Sequence, residues 1–199
     1  MNFSRVIVLL LILLIGVGYV SWHVWQLLPM TVTGKWVVTS ALLLCLVCFF
    51  TNFIFGLDDK PMSVAVALYE LGNSSLFIGF YLLLFFLVLD LGRLFHLVPR
   101  SFLYNSWIGT VSVIVIMTGL FVYGYFNYLD KERVPMVLNS DKPFHQPHRL
   151  VMMSDLHLGY HNRADEFRKW VDMINEENPE VILIAGDIID RSIRALIDQ

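Results

Sequence analysis

Two short apolar runs near the C-terminus are each followed by residues that could bind a metal ion. Asp155 and His157 come after the run LVMMS, and Asp187 comes after the run VILIA. Asp155 and His157 are two residues apart, so their side chains project to the same side of an extended chain. Carboxylate oxygen and imidazole nitrogen together suit a divalent metal ion. With Asp187 as a bridging carboxylate, a second ion could bind about 3.5–4 Å away, and such a pair lowers the pKa of a bound water and clamps a phosphoryl group.

The chain around these residues predicts two parallel strands joined by one helix. Leu150–Ser154 is a short apolar strand, and Val181–Ala185 is a continuous apolar run, as expected of a strand buried on both faces. A helix between them makes the crossover right-handed and the strands parallel. The predicted ligands then lie at the carboxyl edge of the sheet, which is where open α/β sheets bind their ligands.

The connecting helix has a start signal, a stop signal and one apolar face. Asn162 could cap its N-terminus, and Asp165 and Glu166 would interact favourably with the positive end of the helix dipole. Pro179 lies just past its end. Apolar residues recur at the spacing i, i+3, i+4 and i+7, namely Phe167, Trp170, Val171 and Ile174. Together these features predict an amphipathic helix.

The first 128 residues predict a multi-pass membrane region. A helix needs about 20 apolar residues to cross a bilayer, and helices satisfy every backbone polar group there. Four segments are long enough, at residues 6–28, 36–55, 71–95 and 107–125. Four spans would place both termini on one side of the membrane. Basic residues favour the cytoplasm for that side by only four against three, so the sequence leaves the orientation open.

Charged residues are concentrated in the last third of the chain. Residues 1–128 contain nine Asp, Glu, Lys and Arg residues, whereas residues 129–199 contain 22. We therefore expect a linker over residues 129–148, with a short candidate strand at Val134–Leu138, and a soluble segment over residues 149–199. The net charge of −3 offers no basic surface for nucleic acid, so nucleic acid is not expected as a partner.

The motifs DLHLG and GDIID, separated by one helix and one strand, resemble those of the calcineurin-like metallophosphoesterases. The apolar N-terminal segments make the chain similar to the bacterial integral-membrane branch of that superfamily. The resemblance implies that Asp155 and His157 are ligands of a first metal ion and that Asp187 bridges two ions. It also implies a supporting role for Asp190 and a close backbone turn at Gly186. The two ions would be divalent manganese, iron, zinc or magnesium, and this ligand set does not choose among them.

The resemblance also implies parts that the sequence up to Gln199 lacks. The family fold is a two-sheet sandwich flanked by helices, and residues 149–199 would form its first βαβ unit. A GNHD or GNHE motif supplies an Asn ligand and the catalytic histidine of the family, and downstream histidines complete the site. We therefore expect a fragment of a longer protein, with the catalytic histidine beyond Gln199. Taken alone, the chain is expected to have little or no hydrolytic activity.

Four other polar residues have two interpretations each. Asp90 and Arg93 could pair at i,i+3 near the membrane surface, or they could form a polar site inside the helix bundle. His145 and His148 lie in a proline-containing loop, where they could be metal ligands or ordinary solvent-exposed residues.

The function that the sequence supports is a membrane-anchored phosphoesterase that hydrolyses a phosphate ester or pyrophosphate at a dinuclear metal site. Its expected partners are the lipid bilayer of the cell membrane and a phosphorylated substrate, for which the anchor makes lipid-linked phosphates candidates. The alternative is a non-enzymatic membrane scaffold or partner-binding protein with a partial phosphoesterase fold. A transporter would require ionisable residues at mid-bilayer, and only Asp90 and Arg93 come close.

Overall fold

The computed structural model describes residues 3–139, 141, 142, 146–190, 192 and 194–197. The chain divides into two compact units. The helical unit comprises Met1–Phe50 and Leu71–Glu132, and the mixed unit comprises Thr51–Glu70 and Arg133–Gln199. The mixed unit therefore combines the turn between two long helices with the C-terminal segment.

Five helices precede the C-terminal segment in the described part of the chain. They are α1 (Phe3–Leu27), α2 (Val32–Phe55), α3 (Met62–Leu94), the short α4 (Arg100–Leu103) and α5 (Trp107–Leu129). Of these, α2, α3 and α5 are long and apolar enough to cross a membrane. The prediction of a multi-pass helical membrane region is therefore confirmed for three helices.

The first predicted span lies in helix α1. Its described apolar stretch, Leu11–Leu27, is shorter than the roughly 20 residues that a bilayer requires. The count of four spans therefore stays a prediction.

Helix α3 begins at Met62, well before residue 71, where the apolar pattern predicts the start of the span. Pro61 starts the helix, because its carbonyl accepts hydrogen bonds from the backbone N–H groups of Val64 (3.0 Å) and Ala65 (2.9 Å). Proline is well suited to this end of a helix. Glu70 interrupts the apolar pattern but not the helix, because a charged side chain leaves the backbone hydrogen bonds intact.

The core of the helical unit is centred on Phe86 of α3, which is fully buried. Five further buried residues from α1, α3, α4 and α5 pack around it, namely Val20, Leu27, Leu82, Leu103 and Val113. Other apolar side chains on these helices, such as Val88 and Ile114, are exposed. Such an apolar exterior suits lipid rather than water.

The mixed unit contains the predicted strand–helix–strand arrangement. Strand β1 (Leu150–Ser154) is followed by α6 (Ala164–Glu176), β2 (Val181–Ala185) and the short helix α7 (Arg194–Ile197). The two strands are parallel, and Leu150 pairs with Val181 at one end and Ser154 with Ala185 at the other. The predicted parallel βαβ unit is confirmed, with the motif residues directly after each strand.

Three local predictions for this unit are corrected by the structure. Residues 130–139 have no regular secondary structure, so Val134–Leu138 is not a strand; β1 and β2 pair with each other in the described residues. Residues 181–184 of β2 are 45–48% exposed rather than buried, because the described residues cover neither face of this strand. Arg163, not Asn162, occupies the N-cap of α6 and makes no capping bond through its side chain.

Candidate functional site

The loops that follow β1 and β2 run side by side beyond the ends of the strands. The backbone N–H of His157 donates to the carbonyl of Asp187 (3.1 Å), and that of Leu158 donates to Ile188 (2.9 Å). In the other direction, the N–H of Asp190 donates to the carbonyl of Leu158 (2.9 Å). The parallel pairing thus continues through both motifs and places the backbone of His157 beside that of Asp187.

The backbone of these loops is unfavourable at two of the predicted ligands. Asp155 has a φ of 52° and His157 a φ of 44°, both in the left-handed region. Non-glycine residues rarely adopt this region, although Asp and His do so more often than most. Such conformations cost about 1–3 kcal/mol each and cluster at functional sites. The strain therefore supports a functional role for this loop.

Gly186 is required by the position of Asp155. Its φ is 89°, and a Cβ atom added to it would lie 2.6 Å from Oδ1 of Asp155. No side chain fits there without moving the carboxylate. Gly186 therefore allows the backbone turn and also leaves space for the carboxylate beside Asp187.

The three predicted ligands, Asp155, His157 and Asp187, are exposed. Leu156 and Leu158, which alternate with them, are 7% and 4% exposed and anchor the loop in the unit. Carboxylate and imidazole donors at one sheet edge fit a divalent ion in chemical type. In the described residues, however, no three His, Cys, Asp or Glu side chains are grouped closely enough to hold a metal ion. The assignment of these residues as ligands stays a prediction.

Asp190 is half-buried and accepts a hydrogen bond from the hydroxyl of Tyr69 near the start of α3. A Cβ atom on Gly159 would lie 3.3 Å from the Cβ of Asp190, so the two motifs also touch here. Sequence reasoning missed Tyr69, which precedes Asp190 by 121 residues and lies in the part of α3 before residue 71, where the predicted span begins. Nothing in the sequence pattern indicates this pairing.

The loop after β1 is held by further hydrogen bonds. The side-chain amide of Asn162 donates to the backbone carbonyl of Leu156 (2.9 Å). The backbone carbonyl of Asn162 accepts from the backbone N–H of Gly159 (2.9 Å). This bracing replaces the capping role that the sequence predicts for Asn162. The hydroxyl of Tyr160 donates to Asp58 (2.7 Å) in the turn between α2 and α3.

The hydrogen bonds at Asp58 and Tyr160 shift their protonation equilibria. Bonds from Ser192 and Tyr160 lower the pKa of the Asp58 carboxyl below its ordinary range. Burial, and then the bond to Asp58, raises the pKa of the Tyr160 hydroxyl. Asp58 is therefore ionised and Tyr160 neutral at physiological pH.

His148 is paired away from the candidate site. Its Nδ1 lies 2.6 Å from a carboxylate oxygen of Glu180, just before β2, and both side chains are exposed. The hydrogen bond from His148 lowers the pKa of Glu180. Both residues precede the strands, so they lie at the opposite end of the sheet from the motifs. His145 lies outside the described residues.

The helical unit contains a separate polar cluster at Asp90. This carboxylate accepts a hydrogen bond from the hydroxyl of Tyr19 (2.8 Å) and lies 3.0 Å from Nε2 of the buried His23. Arg93 is also paired with it, at 3.4 Å. The predicted pairing of Asp90 with Arg93 is confirmed, and two residues of α1 join it. The cluster connects α1 to α3.

Comparison with known proteins identifies the class to which the C-terminal segment belongs. Residues 148–198 match the family of calcineurin-like phosphoesterases. The match covers both motif loops, and it confirms the resemblance that the sequence predicts. This segment is therefore similar to the calcineurin-like phosphoesterases.

Two curated proteins are similar to the chain. It is 28% identical over 151 residues to a transmembrane protein with metallophosphoesterase domain from Danio rerio, covering 71% of the chain and 34% of that protein. It is 32% identical over 73 residues to the uncharacterized metallophosphoesterase YkuE of Bacillus subtilis, covering 34% of the chain and 26% of that protein. The chain thus spans about a third or less of the length of these relatives. No solved structure matches it.

The similarity to the Danio rerio protein extends beyond the phosphoesterase segment. An alignment of 151 residues is longer than residues 148–198, so it includes a large part of the helical region. The chain thus combines three helices long and apolar enough to cross a membrane with a segment similar to the calcineurin-like phosphoesterases.

Proposed function

We propose that this chain is part of a membrane-anchored, metal-dependent phosphoesterase that hydrolyses a phosphate ester or pyrophosphate. The family match over residues 148–198 carries the proposal, because it falls on both loops that contain the predicted ligands. The paired loops and the left-handed backbone of Asp155 and His157 support it, since strained backbone is concentrated at functional sites.

Each motif residue has a distinct role in this proposal. Asp155 and His157 bind one divalent ion, Asp187 bridges it to a second, and Asp190 supports the loop. Gly186 leaves the space that the Asp155 carboxylate occupies. When bound, two ions of manganese, iron, zinc or magnesium would activate a water molecule and neutralise the charge of the phosphoryl group. The backbone hydrogen bond between His157 and Asp187 holds the two donor loops together.

The proposed membrane arrangement has four spans, formed by α1, α2, α3 and α5, in the cell membrane. The turn between α2 and α3 belongs to the same compact unit as the segment that follows α5. If α3 and α5 each cross the membrane once, that turn and the C-terminal segment lie on the same side. If α1 and α2 each cross as well, the N-terminus also lies on that side. The excess of one basic residue favours the cytoplasm. A lipid-linked phosphate or pyrophosphate would meet the site close to the membrane.

The proposal is tested by metal-dependent hydrolysis of an aryl phosphate by the full-length protein in detergent micelles. We expect activity with Mn²⁺ that is lost on chelation with EDTA. Asp187→Ala should lower kcat/KM by more than about 100-fold, because loss of an outer partner of a metal ligand alone costs 10–100-fold. The matched control is Asp172→Ala on the exposed face of α6, which should retain activity.

Two outcomes would contradict the proposal in different ways. Unchanged activity of Asp187→Ala would remove the bridging role of that carboxylate. If the wild-type protein neither binds Mn²⁺ nor hydrolyses any phosphate ester, the membrane scaffold becomes the better description.

A further inference from the structure

The turn between α2 and α3 contacts both motif loops. This turn with the helix ends around it, residues 51–70, belongs to the mixed unit and is called here the hairpin tip. Its Leu57 and Ala65 form a buried cluster with Tyr160, which directly follows the DLHLG motif. The end of a membrane hairpin is therefore part of the packed core beneath the candidate site.

Hydrogen bonds tie the hairpin tip to the loop after β1. Tyr160 donates to Asp58 at 2.7 Å. The neighbouring His161 lies 2.7 Å from the carboxylate of Glu70, where its Nδ1 meets Oε1. These bonds join the chain just after DLHLG to the turn of the hairpin tip at Asp58 and to its last residue, Glu70.

The segment after β2 is tied to the hairpin tip in the same way. The guanidinium of Arg194 donates to the backbone carbonyl of Asp58 and to that of Lys60 (2.6 Å). The hydroxyl of Tyr69 donates to the carboxylate of Asp190, the last residue of the GDIID motif. One motif residue itself, and not only its neighbours, is thus bonded to a membrane helix.

The contact between Tyr69 and Asp190 bears directly on the predicted ligands. The backbone N–H of Asp190 donates to Leu158, and Asp187 is three residues before it on the same loop. Fixing the carboxylate of Asp190 therefore fixes the loop that carries Asp187. The ring of Tyr69 also packs against that of Tyr160, with centroids 5.6 Å apart. The hydroxyl of Tyr69 thus contacts the loop after β2, and its ring contacts the loop after β1.

From these contacts we infer that Tyr69 is a positioning residue, whose hydroxyl holds Asp190 and so orients Asp187 for metal binding. The inference rests on the proposed function, since it assigns the loop after β2 to a metal site. Loss of a residue that orients a metal ligand typically lowers metal affinity or activity about 10–100-fold. Membrane helix α3 is then a structural part of the site, in addition to being an anchor.

Direct measurement of Mn²⁺ binding tests this inference without depending on turnover. Free Mn²⁺ is titrated by electron paramagnetic resonance against the full-length protein in detergent micelles. Tyr69→Phe removes the hydroxyl and keeps the ring, and it should weaken Mn²⁺ binding about 10-fold. The control Tyr123→Phe removes an exposed hydroxyl on α5 and should bind Mn²⁺ as the wild type does.

A double-mutant cycle shows whether the effect passes through Asp190. Asp190→Ala, which removes the acceptor, should weaken Mn²⁺ binding, and adding Tyr69→Phe to it should cause less than about a further twofold loss, because the two residues act as one pair. Equal melting temperatures of the single variants would separate positioning from misfolding. If Tyr69→Phe unfolds, Asp190→Ala decides the question from the other side of the same hydrogen bond: Mn²⁺ binding as tight as in the wild type would overturn the positioning role of the pair.

The failure of this inference differs from the failure of the proposed function. If Asp187→Ala loses Mn²⁺ binding while Tyr69→Phe binds as tightly as wild type, the positioning role is overturned and the phosphoesterase proposal stands. Fully additive losses in the double variant would also overturn it. If the wild-type protein binds no Mn²⁺, both proposals fail together.

Discussion

The carboxylate of Asp155 lies directly over Gly186, so that a methyl group on Gly186 would come within 2.6 Å of Oδ1. The two residues belong to different motifs, and each restricts the other. Gly186 needs its left-handed backbone to turn the chain, and Asp155 needs the absence of a side chain there.

Gly186→Ala is expected to damage both stability and metal binding. The new methyl group forces the Asp155 carboxylate away, and the left-handed φ of 89° adds strain of about 1–3 kcal/mol. Thermal unfolding and Mn²⁺ titration of the full-length protein measure the two effects. Gly124→Ala on α5 is the matched control, because its Cβ would meet nothing within 4 Å. Equal Mn²⁺ affinity of wild type and Gly186→Ala would show that the carboxylate is not held in this position.

The contact of Asp58 with Tyr160 and Ser192 predicts a stability that falls at acid pH. The hydrogen bonds lower the pKa of Asp58 in the folded protein below the value of about 3.9 expected for the unfolded chain. Their stabilisation is therefore fully present above that value and is lost as the pH falls through the folded pKa.

This prediction is measured as the melting temperature of wild type and Asp58→Asn between pH 7 and pH 2.5. The melting temperatures should differ at pH 7, begin to converge near about pH 4, where the unfolded carboxyl starts to be protonated, and become closest once the pH falls below the folded pKa of Asp58. A constant difference across this range would mean that the ionised carboxylate of Asp58 contributes nothing. Asp59→Asn, at the exposed neighbouring residue, controls for a general change in net charge.

The polar cluster in the helical unit predicts a cost for neutralising Asp90. Asp90→Asn keeps the shape of the side chain but weakens its bonds to Tyr19, His23 and Arg93. A hydrogen bond to a charged group contributes about 1.5–3 kcal/mol, so the variant should unfold at a measurably lower temperature in detergent micelles. Asp59→Asn serves as the control here as well. An unchanged melting temperature would show that the charge of Asp90 makes no net contribution to the stability of the folded protein.

The proposed arrangement of spans predicts which loops share a side of the membrane. Single cysteines introduced as Asp59→Cys and Leu97→Cys, in a background without Cys45 and Cys48, can be labelled with a membrane-impermeant maleimide. Labelling of residue 59 should require access from the side of the C-terminal segment, and labelling of residue 97 from the other side.

The same experiment tests helix α1. A reporter at the N-terminus should lie on the side of the C-terminal segment if α1 crosses the membrane. A reporter on the opposite side would reduce the number of spans to three, the number that the described helices support by length.

The parts of the fold that follow from local pattern are predicted well from the sequence. Leu150–Ser154 and Val181–Ala185 are strands at the predicted bounds, because apolar runs of this length between polar loops have few other solutions. The predicted start of helix α3 is too late in the chain. Glu70 interrupts the apolar pattern, whereas the backbone hydrogen bonds of the helix extend back to Pro61.

The parts that depend on contacts between distant segments are not predictable in this way. Asn162 has every local property of a helix cap, yet its side chain bonds to Leu156, since the loop after β1 folds back on itself. The pairing of Tyr69 with Asp190 depends on the packing of the hairpin tip, for which a single sequence has no periodic signal. The candidate site residues are predicted from their motifs, whereas the contacts that hold their loops in place are visible only in the structure.

The exposure of the apolar side chains of β2 has a practical consequence for handling residues 1–199 as a purified sample. Four consecutive apolar, β-branched or Leu side chains, residues 181–184, stand nearly half in solvent on a strand with high β propensity. Detergent shields apolar helices but gives no hydrogen-bonding partner to an uncovered strand, which can recruit another copy and aggregate. For a purified sample of residues 1–199 alone, aggregation through this short strand is therefore expected, and a charged residue at Ile182 is the first substitution to try for better behaviour.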